Sequence, residues 1–218
     1  MKNFEIITLF PELFPGPLGV SIFAKSLNKF WSMKTHDLRT YGIGNKKVVD
    51  DAVFSGLPGM LIRPDVVMNC MQNINFTGKK IFLSPRGTLL TQKKVESLIL
   101  EHDNFLLLCG RYEGVDQRAI NYYDFEEISI GNYVIAGGES AAFVLLESLI
   151  RKIPGVVGND GSFENESFVN DEISEDRYTR PAKWSVDNKI IEVDQILLSG
   201  DHAKIQEYQK NSRKKIKD

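Results

Sequence analysis

The chain has 218 residues, of which 42% are hydrophobic and 26% are charged, with a formal net charge of −2. This composition is typical of a folded globular protein and excludes a long disordered or collagen-like chain. The longest apolar run, Ala141–Leu146, is too short to cross a membrane, and the N-terminus lacks a signal-peptide pattern, so the sequence predicts a cytoplasmic protein without a membrane segment.

Strands and helices are predicted to alternate along residues 1–158. The predicted strands are Phe4–Phe10, Trp31–Leu38, Lys80–Leu83, Asn104–Cys109 and Phe125–Ile130. The predicted helices are Leu18–Phe30, Pro64–Met71, Gln92–Leu100 (with Thr91 as its cap), Val115–Tyr122 and Ala141–Arg151. Such alternation predicts an α/β fold, a parallel sheet with right-handed crossovers.

Three polar, glycine-bearing loops are predicted where strands end. They are Ser84–Gly87, Gly110–Asp116 and Ser129–Glu139. Parallel sheets bind ligands at this edge, where backbone N–H and C=O groups can read an adenine or a ribose. Neither a P-loop nor a G-x-G-x-x-G motif is present, which argues against the common nucleotide folds. The alternative is that these glycines only form turns.

A long loop of different character spans Arg39–Gly59. It carries a basic pair, Lys46 and Lys47, followed by Asp50, and we interpret it as a lid because structureless loops of this length are uncommon unless they are functional or disordered.

The two cysteines, Cys70 and Cys109, are predicted to be reduced and buried. Neither they nor the three histidines have the spacing of metal ligands.

The charge distribution changes after residue 158. Residues 159–176 contain seven acids and no Lys or Arg, which predicts a flexible acidic linker. Residues 177–218 form a small, basic and mainly helical domain, with a helix from about His202. Basic residues near the C-terminus suit a polyanion, although a solvated helix face is the commoner explanation.

The loop motifs resemble those of the bacterial tRNA (guanine-N1-)-methyltransferase family, which belongs to the SPOUT superfamily. The resemblance rests on Leu83–Gly87, Cys109–Asp116 and Ser129–Glu139, with weaker matches in the family's order from residue 4 to about 205. It implies a deep C-terminal trefoil knot in the α/β domain, S-adenosylmethionine as methyl donor and guanosine 37 of tRNA as target. It also implies a homodimer with its active site at the subunit interface.

The same resemblance implies a set of donor-binding residues in the three loops. These cofactor-binding residues are Leu83, Ser84, Pro85, Gly110, Tyr112, Glu113, Gly114, Ser129, Ile130, Gly131, Asn132, Tyr133, Val134, Ile135, Gly137 and Gly138. The residues expected to bind the tRNA are Lys46, Lys47, Asp50, Arg180, Arg213 and Lys214.

Two further residues are assigned to the chemistry. Methylation of guanine N1 removes a proton and builds negative charge on O6, so it needs a general base and a cation. By resemblance, Arg151 stabilises O6 and Glu166 is the base, at a position where the family typically has Asp. Glu164 is a weaker candidate for the base. The alternative is that both acids are only charges of the linker.

Two other functions are compatible with the same sequence features. The chain is also compatible with another SPOUT enzyme that methylates a different RNA atom, or with a non-catalytic RNA-binding module. Mg²⁺ is compatible with the reaction, but no cluster of ligands points to it. The small C-terminal domain is expected to be shorter than in many relatives.

Overall fold

The computed structural model describes residues 1–54, 56, 58–158, 163 and 166–215. The chain divides into two compact units, Met1–Gly158 (the first unit) and Asn159–Asp218 (the second unit). Among the helices of these described ranges, none has the length and apolar character that a membrane span requires.

A parallel sheet lies at the centre of the first unit. The strands of this unit are β1 (Lys2–Thr8), β2 (Trp31–Asp37), β3 (Asp50–Ala52), β4 (Met60–Ile62), β5 (Lys79–Leu89), β6 (Asn104–Cys109) and β7 (Glu126–Ser129). Five of them form the sheet in the order β2-β1-β6-β5-β7, and every neighbouring pair is parallel. The predicted α/β class with a parallel sheet is therefore confirmed.

Helices cover both faces of this sheet. They are α1 (Ser21–Ser26), α2 (Pro64–Ile74), α3 (Gln92–Glu101), α4 (Gln117–Tyr122) and α5 (Gly138–Ile150). Side chains of β6 alternate between two hydrophobic cores: Phe105 and Leu107 belong to the core with α3 and α5, and Leu106 and Leu108 to the core with α2 and α4. Because both faces are covered, β6 is an unbroken apolar run, as the sequence shows.

Several predicted bounds shift by a few residues, and one helix is much shorter than predicted. The predicted helix Leu18–Phe30 is a 3₁₀ turn at Gly16–Gly19 followed by α1, which ends at Ser26. The carbonyl oxygen of Ser26 accepts the N–H groups of Lys29 and Phe30, and Asn28 has φ 60°. This tight turn reverses the chain into β2, so the apolar spacing of residues 18–30 does not continue as a helix.

The prediction that Ser84–Gly87 is a loop at the end of a strand is wrong, because these residues lie inside a strand. Strand β5 continues to Leu89, and both Leu83 and Thr88 are paired with Ile128 of β7. The intervening residues therefore bulge out of the sheet. At Gly87 a Cβ would come within 2.4 Å of the carbonyl carbon of Glu127, so only glycine lets the strand rejoin its neighbour this closely.

The segment interpreted as a lid is partly ordered by strand pairing. Ile43 and Val48 form an isolated antiparallel bridge, and β3 pairs with β4. Strand β4 continues along the Gly110 loop, since Glu113 donates its N–H to the carbonyl oxygen of Met60 at 2.9 Å. Ser55 and Leu57 lie outside the described residues. The function of this segment as a lid stays a prediction.

The second unit mixes short strands with helices. Its elements are β8 (Glu172–Ile173), β9 (Lys183–Val186), β10 (Lys189–Glu192), α6 (Gln195–Leu198), α7 (His202–Ser212) and β11 (Lys214–Lys215). The predicted helix from His202 is present, with the Asp201 side chain accepting the N–H of Lys204. Two antiparallel pairs, β9 with β10 and β8 with β11, are not part of the prediction of a mainly helical domain, and β8 lies within the segment 159–176 predicted as a flexible linker. Asp187 and Asn188, both at positive φ, form the β9–β10 turn.

Candidate functional site

A cavity of about 500 Å³ lies where the first part of β5 and strands β6 and β7 end. Every predicted donor-binding residue except Asn132 lines it. The lining residues outside the predicted set are Leu61, Phe82, Arg86, Val115, Gln117, Ile128, Ala136 and Ala141. The tertiary structure thus brings the three motif segments together around one cavity, with the exposed Asn132 outside it.

The added lining residues differ in how visible they are in the sequence. Arg86, Val115 and Ala136 are immediate neighbours of predicted residues, so a wider selection around each motif would have included them. Leu61 belongs to β4, in the segment interpreted as a lid, and no local pattern marks it as a site residue. Its position depends on the pairing of β4 with the Gly110 loop.

The two loops that follow β6 and β7 are packed backbone to backbone. Gly138 donates its N–H to the carbonyl oxygen of Gly110 at 2.8 Å. A Cβ on Gly138 would lie 2.8 Å from both the Cα of Cys109 and the nitrogen of Gly110. The absence of a side chain at Gly138 is therefore a condition for the closed wall of the cavity.

Two buried serine hydroxyls fix the shape of the other loop segments. Ser129 donates its hydroxyl to the carbonyl oxygen of Gly131 at 3.0 Å, and the N–H of Gly131 lies 3.3 Å from the same Oγ. The Ser84 Oγ accepts the N–H of Arg86 at 3.2 Å. Each hydroxyl bonds to the main chain two residues further along its own segment. The two hydroxyls therefore fix the backbone that forms the cavity wall.

A polar group at the cavity rim connects the bulge of β5 to α4 and β7. Gln117 donates its side-chain amide to Glu127 at 2.9 Å, and its amide oxygen is in hydrogen-bond contact with the Arg86 guanidinium. The Arg86 guanidinium also lies 3.6 Å from the Glu127 carboxylate. This group holds the bulge of β5 against the first turn of α4.

A buried carboxylate lies behind the same wall. Glu139, 1% exposed, accepts the Thr8 hydroxyl on Oε1 at 2.7 Å and the Arg111 Nε–H on Oε2 at 2.8 Å. Burial, together with the charge of Glu139, raises the pKa of the neighbouring Cys109 thiol well above its usual range, while Arg111 opposes this effect. The sequence motifs contain Arg111 and Glu139, but sequence reasoning assigned no role to either.

The two predicted catalytic residues belong to different units. Arg151 is the C-cap of α5 in the first unit, where its backbone N–H donates to the carbonyl oxygen of Glu147 at 3.1 Å. Glu166 is a half-buried residue of the second unit. The hydroxyls of Ser167 and Ser174 lie 2.9 Å apart and close the turn that follows Glu166. Glu164 lies outside the described residues.

The predicted RNA-binding residues are also divided between the units. Lys46 is exposed, and Lys47 donates its ammonium group to the carbonyl oxygen of Thr40 at 3.0 Å. Asp50 is the first residue of β3, while Arg180 and Lys214 are exposed.

Arg213 differs from the other predicted RNA-binding residues because its side chain is only 14% exposed. Its guanidinium lies 3.3 Å from Glu175 and 3.6 Å from Glu172. These carboxylates reduce the positive charge that Arg213 offers to a phosphate.

The part of the chain that the structure describes contains no group of three His, Cys, Asp or Glu residues arranged to hold a metal ion. A Mg²⁺ site is therefore not assigned to any residue.

Comparison with known proteins gives one family for the whole chain. The sequence model described as tRNA (Guanine-1)-methyltransferase TrmD matches residues 1–217. A tRNA (guanine-N(1)-)-methyltransferase of Neorickettsia sennetsu is 47% identical over 214 residues, covering 96% of this chain and 92% of the relative. Proteins with the same description from Ehrlichia canis and Anaplasma phagocytophilum are 42% and 40% identical, each covering 96% of this chain and 89% of the relative.

Proposed function

Because this chain belongs to the tRNA (guanine-N1-)-methyltransferase family of enzymes, we propose that it methylates N1 of guanosine 37 in tRNA, with S-adenosylmethionine as the donor. The observation that carries the proposal is the cavity at the ends of β5, β6 and β7, which gathers three motif segments that are distant in sequence. When bound, S-adenosylmethionine supplies the methyl group on its sulfonium sulfur.

The lining of the cavity suits such a donor. Leu83, Ile130 and Ile135 provide apolar surface for an adenine ring. The backbone N–H and C=O groups of the Gly110 and Ile130 loops can bond the edge of a base and the hydroxyls of a ribose. The close approach of Gly138 to Cys109 and Gly110 packs the two loops that carry these backbone groups against each other.

In the proposed mechanism, Glu166 accepts the N1 proton of the target guanine. Held in the cavity by the Gly110 and Ile130 loops, S-adenosylmethionine would supply its methyl group to N1 and would leave as S-adenosylhomocysteine. Arg151 holds the negative charge that develops on O6. Preorganised charge of this kind, together with a general base, is the minimum that methylation of a protonated ring nitrogen requires.

The proposal includes a homodimer with a composite site. The donor cavity and Arg151 belong to the first unit and Glu166 to the second, so the two parts of one site need not come from one chain. We also propose the trefoil knot of the SPOUT superfamily. The packing of Gly138 against Cys109 and Gly110 supports it, because the chain leaving β7 passes directly over the end of β6.

In the proposed complex the tRNA contacts basic residues of both units. The RNA phosphates contact the basic side chains of Lys46, Lys47, Arg180 and Lys214. Asp50 lies in the segment interpreted as a lid, as the first residue of β3. The acidic segment at residues 159–176 joins the sheet domain to a small RNA-binding domain at 177–218. Base-modifying enzymes act on an extruded base, so guanosine 37 is expected to leave its stack.

The decisive experiment mixes purified protein, donor labelled in its methyl group and unmodified tRNA. Digestion and chromatography should then give labelled 1-methylguanosine, and a tRNA with adenosine at position 37 should give none. Label in a ribose or in another base atom would overturn the proposed target. Binding of the tRNA without any transfer would favour a non-catalytic RNA-binding protein.

A further inference from the structure

Arg111 makes contacts with Phe10 and Glu139 that have no role in the proposed mechanism. It follows Gly110 in the loop whose residues Gly110 and Tyr112 line the donor cavity, but Arg111 is not itself a lining residue. Its guanidinium carbon instead lies 4.5 Å from the centre of the Phe10 ring, just beyond the end of β1. A guanidinium over an aromatic face is held there by a cation–π contact.

The bond to Glu139 fixes the guanidinium without using its terminal nitrogens. Arg–carboxylate pairs often form two parallel bonds. Here the Oε1 atom of Glu139 accepts the Thr8 hydroxyl, and within the part of the chain that the structure describes the Oε2 atom accepts only Nε–H of Arg111. Among the described residues, no carboxylate pairs with the Nη1 or Nη2 atom of Arg111. The side chain is 25% exposed.

Three other arginines of the first unit are bound differently. Arg39, Arg63 and Arg118 each give both Nε and a terminal nitrogen to an aspartate two residues away. Each of these guanidinium groups is neutralised side-on by its own neighbour in sequence. Arg111 is tethered at one nitrogen to a carboxylate from another element, so its two terminal nitrogens can take a different anion.

We propose that Arg111 binds a phosphate of the substrate RNA next to the target nucleotide. This inference rests on the proposed function, because it assumes that RNA approaches the mouth of the donor cavity. Two terminal nitrogens of a fixed guanidinium match two oxygens of a phosphate. Because Arg111 does not line the donor cavity, the donor's own carboxylate is the less suitable anion.

Glu139, Thr8 and Phe10 are positioning residues in this proposal. The buried carboxylate holds Nε, and the Thr8 hydroxyl keeps that carboxylate from turning its second oxygen toward Arg111. The Phe10 ring holds the guanidinium over its face. A phosphate bound here would hold the RNA backbone against the loop that also carries Tyr112 and Glu113, both of which line the cavity.

The test measures tRNA binding by fluorescence anisotropy over a range of salt concentrations, with S-adenosylhomocysteine present to prevent turnover. For Arg111→Met we expect about a tenfold loss of affinity. The salt slope, which is the slope of the logarithm of the binding constant against the logarithm of the salt concentration, should be smaller in magnitude by about 0.7. Affinity for the donor, measured by calorimetry, should stay within about twofold of wild type. Arg111→Lys should keep the salt slope but recover only part of the affinity, because it lacks the fork.

Arg118→Met is the matched control, since it removes one positive charge from the adjacent helix where Asp116 already neutralises it. It should leave both affinity and slope near wild type. Equal losses for the Arg111 and Arg118 variants would overturn the proposal, as would an unchanged slope for Arg111→Met. A selective loss of donor affinity would assign Arg111 to the donor instead.

Arg111→Met leaves Glu139 as a buried, unpaired carboxylate, so the double variant Arg111→Met, Glu139→Gln serves as the folding-safe form. It should show the same reduced slope with a near-normal melting temperature. The wild-type methylation assay is run beside it. Failure of wild type to methylate tRNA would refute the proposed function, whereas an active wild type with unaffected Arg111 variants would refute only the role of Arg111.

Discussion

Gly138 donates its backbone N–H to the carbonyl oxygen of Gly110 at 2.8 Å, which places the loop after β7 directly on the loop after β6. The first prediction follows from this contact. Gly138→Ala puts a methyl group 2.8 Å from the Cys109 backbone, so the two loops must separate. Overpacking of this kind costs about 1–3 kcal/mol. We expect donor affinity to fall at least about tenfold in calorimetric titration.

Gly158→Ala is the control for this substitution. A Cβ at Gly158 would meet no heavy atom of the described residues within 4 Å, so donor binding should match wild type. Normal donor affinity in Gly138→Ala would show that the contact between the two loops does not shape the donor site.

The second prediction concerns the proposed base. Glu166→Gln should reduce the rate of methyl transfer by about a hundredfold or more, because an amide cannot accept the N1 proton. Donor affinity should remain near normal, since residues of the first unit line the cavity and Glu166 is assigned to proton removal. Single-turnover assays and calorimetry on the same protein would measure both. Activity within about twofold of wild type would remove Glu166 from the mechanism, and Glu164 would be substituted next.

The third prediction tests whether the site is shared between subunits. Gly138→Val damages the donor cavity, and Glu166→Ala removes the proposed base, so each protein alone should be inactive. After subunit exchange, a mixed dimer has one site with an intact cavity from one chain and Glu166 from the other. Part of the activity should therefore return.

Exchange is verified by native mass spectrometry before activity is measured. If mixed dimers are present and remain inactive, the composite site is wrong, provided that circular dichroism shows Gly138→Val to be folded.

The fourth prediction concerns the second unit. Arg213→Met leaves Glu172 and Glu175 without their shared cation, and the Glu175 side chain is only 8% exposed. We expect about 1–3 kcal/mol of destabilisation, seen as faster amide exchange in peptides from residues 166–215. Lys204→Met, whose partner Asp201 is more exposed, should change exchange little. Equal exchange in the two variants would contradict a structural role for Arg213.

The fifth prediction concerns the cysteines and pH. Burial raises the pKa of the Cys70 thiol to about 12, and the unfolded chain has a thiol pKa of about 8.5. Between these values the unfolded state ionises while the folded state stays protonated. The stabilising contribution of the buried thiol is thus complete below pH of about 8.5 and falls by about 1.4 kcal/mol per pH unit above it.

Urea unfolding of wild type and Cys70→Ala from pH 7 to 10 would measure this contribution. Above pH of about 8.5, the free energy of unfolding of wild type should fall relative to that of Cys70→Ala. A difference that stays constant with pH would contradict the prediction. At pH 8, Cys70 and Cys109 should both resist Ellman's reagent until urea is added, because both are 0% exposed.

The sequence by itself determined the α/β class, most strands and helices, and the composition of the loops around the cavity. The apolar run at Asn104–Cys109 predicts a strand covered on both faces, and Thr91 marks the start of α3 through its capping side chain. These features depend on residues that are close in sequence, where periodicity and capping act directly. The Ser84–Gly87 bulge was missed because it depends on Leu83 and Thr88 sharing one partner in another strand.

Only the tertiary structure decided which distant groups meet. Thr8 and Glu139 are separated by 131 positions, and their hydrogen bond exists because β1 and β6 are neighbours in the sheet and α5 begins against the end of β6. Strand order leaves no local trace in the sequence, so the orientation of Arg111 could not be read from its motif. A buried carboxylate finds its partners through the packing of whole elements, and its energetic cost is offset only once that packing is complete.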